Sequence, residues 1–229
     1  MLFNLFLLSV IVVIEMRTHY INWQFEKYGY IEYTPETQPD YRAVTSWTNM
    51  LEKADLSCDI CFFGNSITRN SDFTKYYPDK TIINLGYSGD FLINMCYRVP
   101  QIKAVKPKKL FLMGGINDLY CCKSEEVINR YDRLLKIIRD TIPEVDVYIE
   151  SVLPVNQQIM NPIIDQDEII ETNNGIKKLA DKYNFIYIDL YALYQEDNML
   201  PNRYTNDGIH LTSDAYRIWA EAINTYIYE

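Results

Sequence analysis

The chain has 229 residues, enough to bury one sizeable core, and no Pro/Gly/Ser-rich stretch or charge block divides it, so one main domain is expected. Thirty-one acidic against 22 basic side chains give a formal charge of -9, which disfavours nucleic acid or an anionic membrane surface as a partner. The 20 tyrosines suit sugar or interface contacts in principle, but most are expected simply to pack with their hydroxyls in water.

The first element is the run "MLFNLFLLSVIVVI" (1–14), nearly all apolar and followed at once by Glu15 and Arg17. It is shorter than the ~20 apolar residues that span a bilayer and within the range of a signal-peptide core. No Lys or Arg precedes it and no small-x-small cleavage site follows. Residues 1–17 are therefore expected to be a signal or anchor segment of an exported protein, periplasmic or extracellular, with 18–229 as the domain. In order of preference, the run is a membrane tether, a weakly marked signal peptide, or an apolar arm on its own domain.

A helical pattern is expected near 41–56, then a strand at "DICFF" (59–63). A second strand follows at "TIIN" (81–84), a helix near 89–99, and a third strand at "LFLM" (110–113). The clearest helix covers Ser124–Ile142. There Val127, Tyr131, Leu134, Leu135, Ile138 and Ile142 recur at helical spacing, Glu125 and Glu126 occupy the first turn, and Pro143 terminates. Strand "VDVYI" (145–149), a helix over 166–183, strand "FIYI" (185–188) and a helix over 213–226 complete the chain. The last carries Ala215, Tyr216, Trp219, Ala220 and Ile223 on one stripe behind the candidate caps Thr212 and Ser213. Alternating strands and helices imply five parallel strands joined by right-handed crossovers, a three-layer α/β/α sandwich whose continuous apolar runs are strands buried on both faces.

The five cysteines, Cys58, Cys61, Cys96, Cys121 and Cys122, lie in apolar or turn contexts without nearby histidines. Neither a metal centre nor a cofactor is expected. Cys58 and Cys61 have C-x-x-C spacing, but they sit in a strand rather than at a helix start, so buried packing is the expectation. An odd number of cysteines stands in mild tension with export.

In such sheets ligands bind beyond the carboxyl ends of the strands, and there the sequence becomes informative. Gly64-Asn65-Ser66 follows the first strand, "NLGYSGD" (84–90) the second and "GGIND" (114–118) the third, while "NDGIHL" (206–211) precedes the last helix. These residues suffice for acyl transfer. A serine hydroxyl is a weak nucleophile until a base takes its proton, and His210 can be that base, His19 being the only other histidine and outside the strand–helix region. Asp207, three residues upstream, can fix the imidazole tautomer if the segment turns tightly. The backbone N–H groups of Ser66 and Gly89 and the side-chain amide of Asn117 can receive an oxyanion. For Asp118 and Arg98 structural roles are expected, Asp118 bracing the third loop and Arg98 pairing with a surface carboxylate.

GNSIT, N-x-G-x-x-G-D, GGIND and D-G-I-H, in that order over residues 59–226, resemble the four blocks of the SGNH or GDSL hydrolase family. A lone G-x-S says little; four motifs in order, each beside its expected element, are specific. The resemblance implies a flavodoxin-like fold, metal-free hydrolysis of esters or thioesters, and Ser66, Gly89, Asn117, Asp207 and His210 in the roles above. The family's commonest form has Asp before the nucleophile, where this chain has Asn65. The family pattern also favours Gly89 as oxyanion donor and leaves Gly86 as a turn residue.

The expected function is a serine esterase that removes small acyl groups, acetyl first among them, from small-molecule esters such as acetylated carbohydrates. No insertion long enough for a large lid is seen; the loop at 152–169 is the extended one that could shape the pocket. A lysophospholipase or thioesterase is the alternative suggested by the apolar N-terminus. A non-catalytic glycan-binding module on the same fold is the alternative from another class, although a binder has no need of a paired base and orienter.

Overall fold

A computed structural model describes residues 41–159 and 164–229, and the expected signal or anchor segment, 1–17, lies outside the described residues. No helix among the described residues is long and apolar enough to cross a membrane.

The strands are β1 (Cys58–Gly64), β2 (Ile82–Gly86), β3 (Pro107–Met113), β4 (Asp146–Glu150) and β5 (Ile186–Ile188), each within a few residues of its expected place. All four pairings are parallel, in the order β2-β1-β3-β4-β5. Apolar side chains fill both faces of the central strands, while the edge strands β2 and β5 are partly exposed, as expected of a parallel sheet with helices on both sides. The helices are α1 (Tyr41–Lys53), α2 (Ser66–Arg69), α3 (Leu92–Ala104), α4 (Ser124–Thr141), α5 (Gln166–Tyr183), α6 (Leu190–Tyr194) and α7 (Ser213–Tyr228).

Phe62, Phe111 and Tyr148 are register partners on adjacent strands and stack in sequence, with centroids 5.1 and 4.7 Å apart. Phe73 stacks on Phe62 at 4.2 Å and meets the edge of Trp219 of α7, while Tyr226 tilts onto Tyr148. This row of rings is the core between the sheet and α7, and such pairs contribute about 0.5–1.5 kcal/mol each beyond the area they bury. Thr212 caps α7, its Oγ1 accepting from the Ala215 N–H, as expected.

Helix α3 runs to Ala104, past the end expected near 99, with Pro100 inside it. Proline forfeits one helical hydrogen bond, at about 3 kcal/mol. Val99 and Ile102, both fully buried, each return about 1.5–3 kcal/mol, so packing carries the helix through. Helix α2, of four residues, is too short to show a sequence period.

In the order 2-1-3-4-5 the chain reverses its winding direction between β1 and β3, and the loops leaving their carboxyl ends diverge there to open a crevice. Gly64 is in register with Gly86 on one side and Met113 on the other, so the three loops that follow leave the sheet at one level.

Candidate active site

The first loop is built around Asn65. It is fully buried, and its Oδ1 accepts from the Ile67 N–H at 2.9 Å, capping α2. Ser66 is thereby the first residue of α2, half-buried at the edge of the sheet. Among the described residues the Ser66 N–H has no hydrogen-bond acceptor, as expected of a first-turn amide. The Tyr216 hydroxyl donates to Ile67 O at 2.7 Å, tying α2 to α7.

Two side chains hold the second loop. Asn84 Nδ2 donates to Thr68 O and Ser71 O at 2.8 and 3.1 Å, and its Oδ1 accepts from the Gly86 N–H at 2.8 Å, which locks this loop to α2. Gly86 ends β2 rather than making a turn, correcting that expectation. A Cβ there would lie 2.2 Å from Arg69 N and 2.6 Å from Arg69 Cα, so the residue is small because a backbone crosses it. Gly89 makes the turn. Its φ of +73° suits glycine, open space surrounds it, and its N–H has no acceptor among the described residues.

Arg98 lies in the core, correcting the surface pairing expected for it. Only 2% exposed, it donates to the equally buried Asp90 and to Leu85 O, and its guanidinium packs over Phe63 and Tyr87. A buried guanidinium needs such partners for its N–H groups, and these partners fix both ends of the loop that carries Gly89.

The third loop follows β3. Asn117 Nδ2 donates to Asp90 O at 2.8 Å, which sets it beside the residue after Gly89. A primary amide has two N–H donors, so the second is available to a ligand. Asp118 braces this loop, as expected: fully buried, it accepts from the Leu92 N–H at 3.0 Å and from Arg130 at 3.1 Å.

The fourth segment comes from the far end of the chain. Thr205 and Leu211 form an antiparallel bridge, Thr205 Oγ1 accepts from the Gly208 N–H at 2.9 Å, and the Asn156 N–H donates to Gly208 O at 2.8 Å. Gly208 has a φ of +91°, which closes the turn between Asp207 and His210. Asp207 Oδ1 accepts from the backbone N–H groups of Ile209 and His210 at 3.0 and 2.8 Å, and Oδ2 lies 2.6 Å from His210 Nδ1. The other ring nitrogen, Nε2, is 2.8 Å from Ser66 Oγ. The three side chains thus form one hydrogen-bonded chain across 144 residues of sequence.

Burial raises the Asp207 pKa, but the His210 ring N–H and the two backbone N–H donors outweigh it and bring the carboxyl to about 2. An ionised carboxylate only accepts, so Nδ1 carries the ring proton and Nε2 is left to accept from the serine hydroxyl. Asp207 is 55% exposed, and water screens its charge; its hold on the ring is directional rather than long-range.

All five expected site residues lie at this edge. The supports Asn84, Asp90 and Asn156 were not foreseen, although Asn84 and Asp90 stand within the "NLGYSGD" stretch that marks the second loop; Arg98 was expected to pair at the surface and Tyr216 only to pack.

The profile of the GDSL-like Lipase/Acylhydrolase family matches residues 62–218, which span all four segments. Three solved structures share the fold. A Streptococcus pneumonia protein provisionally described as a platelet activating factor is 22% identical, with a TM-score of 0.73 over 82% of this chain and 92% of that one. A GDSL-like lipase from Bacteroides thetaiotaomicron is 20% identical, with a TM-score of 0.64 over 80% and 96%. A variant of an acetyl xylan esterase from Geobacillus stearothermophilus is 19% identical, with a TM-score of 0.60 over 74% and 94%. No curated protein sequence matches the chain.

Proposed function

The chain belongs to the GDSL-like lipase/acylhydrolase family and is a carboxylic ester hydrolase; from that premise we propose that it is a serine esterase for small acyl groups, with Ser66 as nucleophile, His210 as base and Asp207 as its orienter. The observation that carries this reading is the unbroken Ser66–His210–Asp207 chain at 2.8 and 2.6 Å. Ser66 Oγ attacks the acyl carbon while Nε2 takes its proton. The oxyanion is received by the N–H groups of Ser66 and Gly89 and the second N–H of Asn117. Collapse expels the alcohol, which takes the proton from Nε2, and water repeats the cycle on the acyl-serine.

A compact domain without a large lid-forming insertion supports a small acyl group, acetyl first. One protein of the same fold is an acetyl xylan esterase, which supports an acetylated carbohydrate as a substrate class this fold hosts. The apolar run at 1–14 supports export, which fractionation with N-terminal sequencing tests.

The substrate reading is tested by p-nitrophenyl esters from acetyl to decanoyl. Turnover should fall steeply beyond butyryl. Turnover rising toward decanoyl would overturn the small-acyl reading in favour of a lysophospholipase or thioesterase.

A further inference from the structure

We propose that Cys121 and Cys122 are a redox-reversible modification site on the loop that carries Asn117: a dithiol that hydrogen peroxide closes to a disulfide between adjacent residues, slowing the site beside it. The two sulfurs lie 3.5 Å apart as thiols, and both are partly exposed. Cys58, Cys61 and Cys96 are buried, at 6% exposure or less. Cys58 and Cys61, three residues apart on β1, point to opposite faces of the sheet. The accessible cysteines are therefore the adjacent pair.

The step balances. The Cys121 thiolate attacks a peroxide oxygen, giving a sulfenic acid and, with one proton, water. The second sulfur displaces the sulfenic oxygen, which leaves as a second water. Two electrons pass from the sulfurs to the O–O bond. Adjacent Cα atoms are ~3.8 Å apart across a trans peptide, below the ~4.4–6.8 Å usual for a disulfide, so the ring is strained and readily reduced. The hydrogen bond with Cys121, then partial burial, holds the Cys122 thiol above its ordinary range, which assigns the first attack to Cys121 and leaves Cys122 to resolve the sulfenic acid.

Closure reaches Asn117 through one carbonyl. Asp118 O accepts from the N–H groups of Cys121 and Cys122, at 3.0 and 2.8 Å, and from Cys121 Sγ at 3.2 Å. Drawing the sulfurs from 3.5 Å to about 2.05 Å removes the thiol donor and pulls on that carbonyl. The Asp118 side chain is clamped to Leu92 and Arg130, so the strain falls on the adjoining Asn117.

The test uses the full chain treated with hydrogen peroxide, then denatured and alkylated with iodoacetamide. With five cysteines, the reduced protein should take five alkyl groups and the oxidised one three, with the peptide holding 121 and 122 lighter by two hydrogens. Cys121→Ser should take four before and after. Turnover of p-nitrophenyl acetate should drop at least tenfold on closure, return with dithiothreitol, and be insensitive to peroxide in Cys121→Ser. Five alkylations after peroxide, added oxygen at either sulfur, or closure with unchanged turnover would overturn the proposal. The turnover arm rests on the esterase reading; a reduced enzyme without turnover would count against that reading alone, because the alkylation count decides the disulfide independently.

Discussion

Replacing Glu150 by Gln should remove a pH dependence built into the core. Glu150 ends β4, is 1% exposed, and accepts from Trp219 Nε1 at 2.6 Å. Burial, partly offset by the Trp219 hydrogen bond, moves its carboxyl from 4.5 to about 8. At neutral pH it is therefore a protonated acid buried in the core. In the unfolded chain the group ionises at its ordinary value. Between the two pKa values the native state therefore holds a proton that the unfolded state sheds, and stability falls as pH rises through this window. Each unit is worth about 1.4 kcal/mol, so from pH 5 to 7 the group costs the wild type about 3 kcal/mol. Gln keeps the volume and the acceptor for Trp219 and has no proton to lose. Urea unfolding of both proteins at pH 5 and 7 should show the variant gaining about 3 kcal/mol relative to wild type, whatever constant offset the new amide brings. A stability difference that is the same at both pH values would refute the reasoning.

Three further substitutions probe the site. Asn117→Ala should lower kcat by about 10²–10³ with little change in stability, since it removes one oxyanion donor; a wild-type rate would take Asn117 out of that role. Gly86→Ala should cost more than about 3 kcal/mol and most of the activity, because a Cβ at 2.2 Å from Arg69 N must push α2, and Ser66 with it, out of place. Gly89→Ala meets open space and only the strain of a positive φ, about 1–2 kcal/mol. Urea midpoints in the opposite order would contradict both assignments.

Much of this was legible in the sequence, for reasons that differ by element. Strands β1, β3 and β4 announced themselves because a parallel sheet buried on both faces must be continuously apolar. Helices α4 and α5 did so because one buried face imposes a period, with Pro143 ending α4 and the capping Asp165 opening α5. The site could be read because this topology puts the loops after β1, β2 and β3 at one edge, so Ser66, Gly89 and Asn117 needed no long-range assumption. His210 and Asp207 were found by their chemistry, being the one imidazole expected within the strand–helix region and a carboxylate one turn away. Arg98 was misread because an arginine in an amphipathic helix ordinarily faces water, and its partner Asp90 lies across a loop whose path local pattern does not encode. Glu150 was hidden in the same way, a polar residue closing an apolar run whose burial depends on Trp219, 69 positions later. The end of α3 was set near 99 and lies at Ala104 because core packing by Val99 and Ile102 carries the helix through Pro100.

The account stands on Ser66 being activated by His210, and reaction with a fluorophosphonate followed by peptide mapping tests that most directly. One adduct at Ser66 is predicted, absent in Ser66→Ala and formed far more slowly in His210→Ala. An intact protein that takes no label at Ser66, or takes it at the same rate without His210, would contradict it.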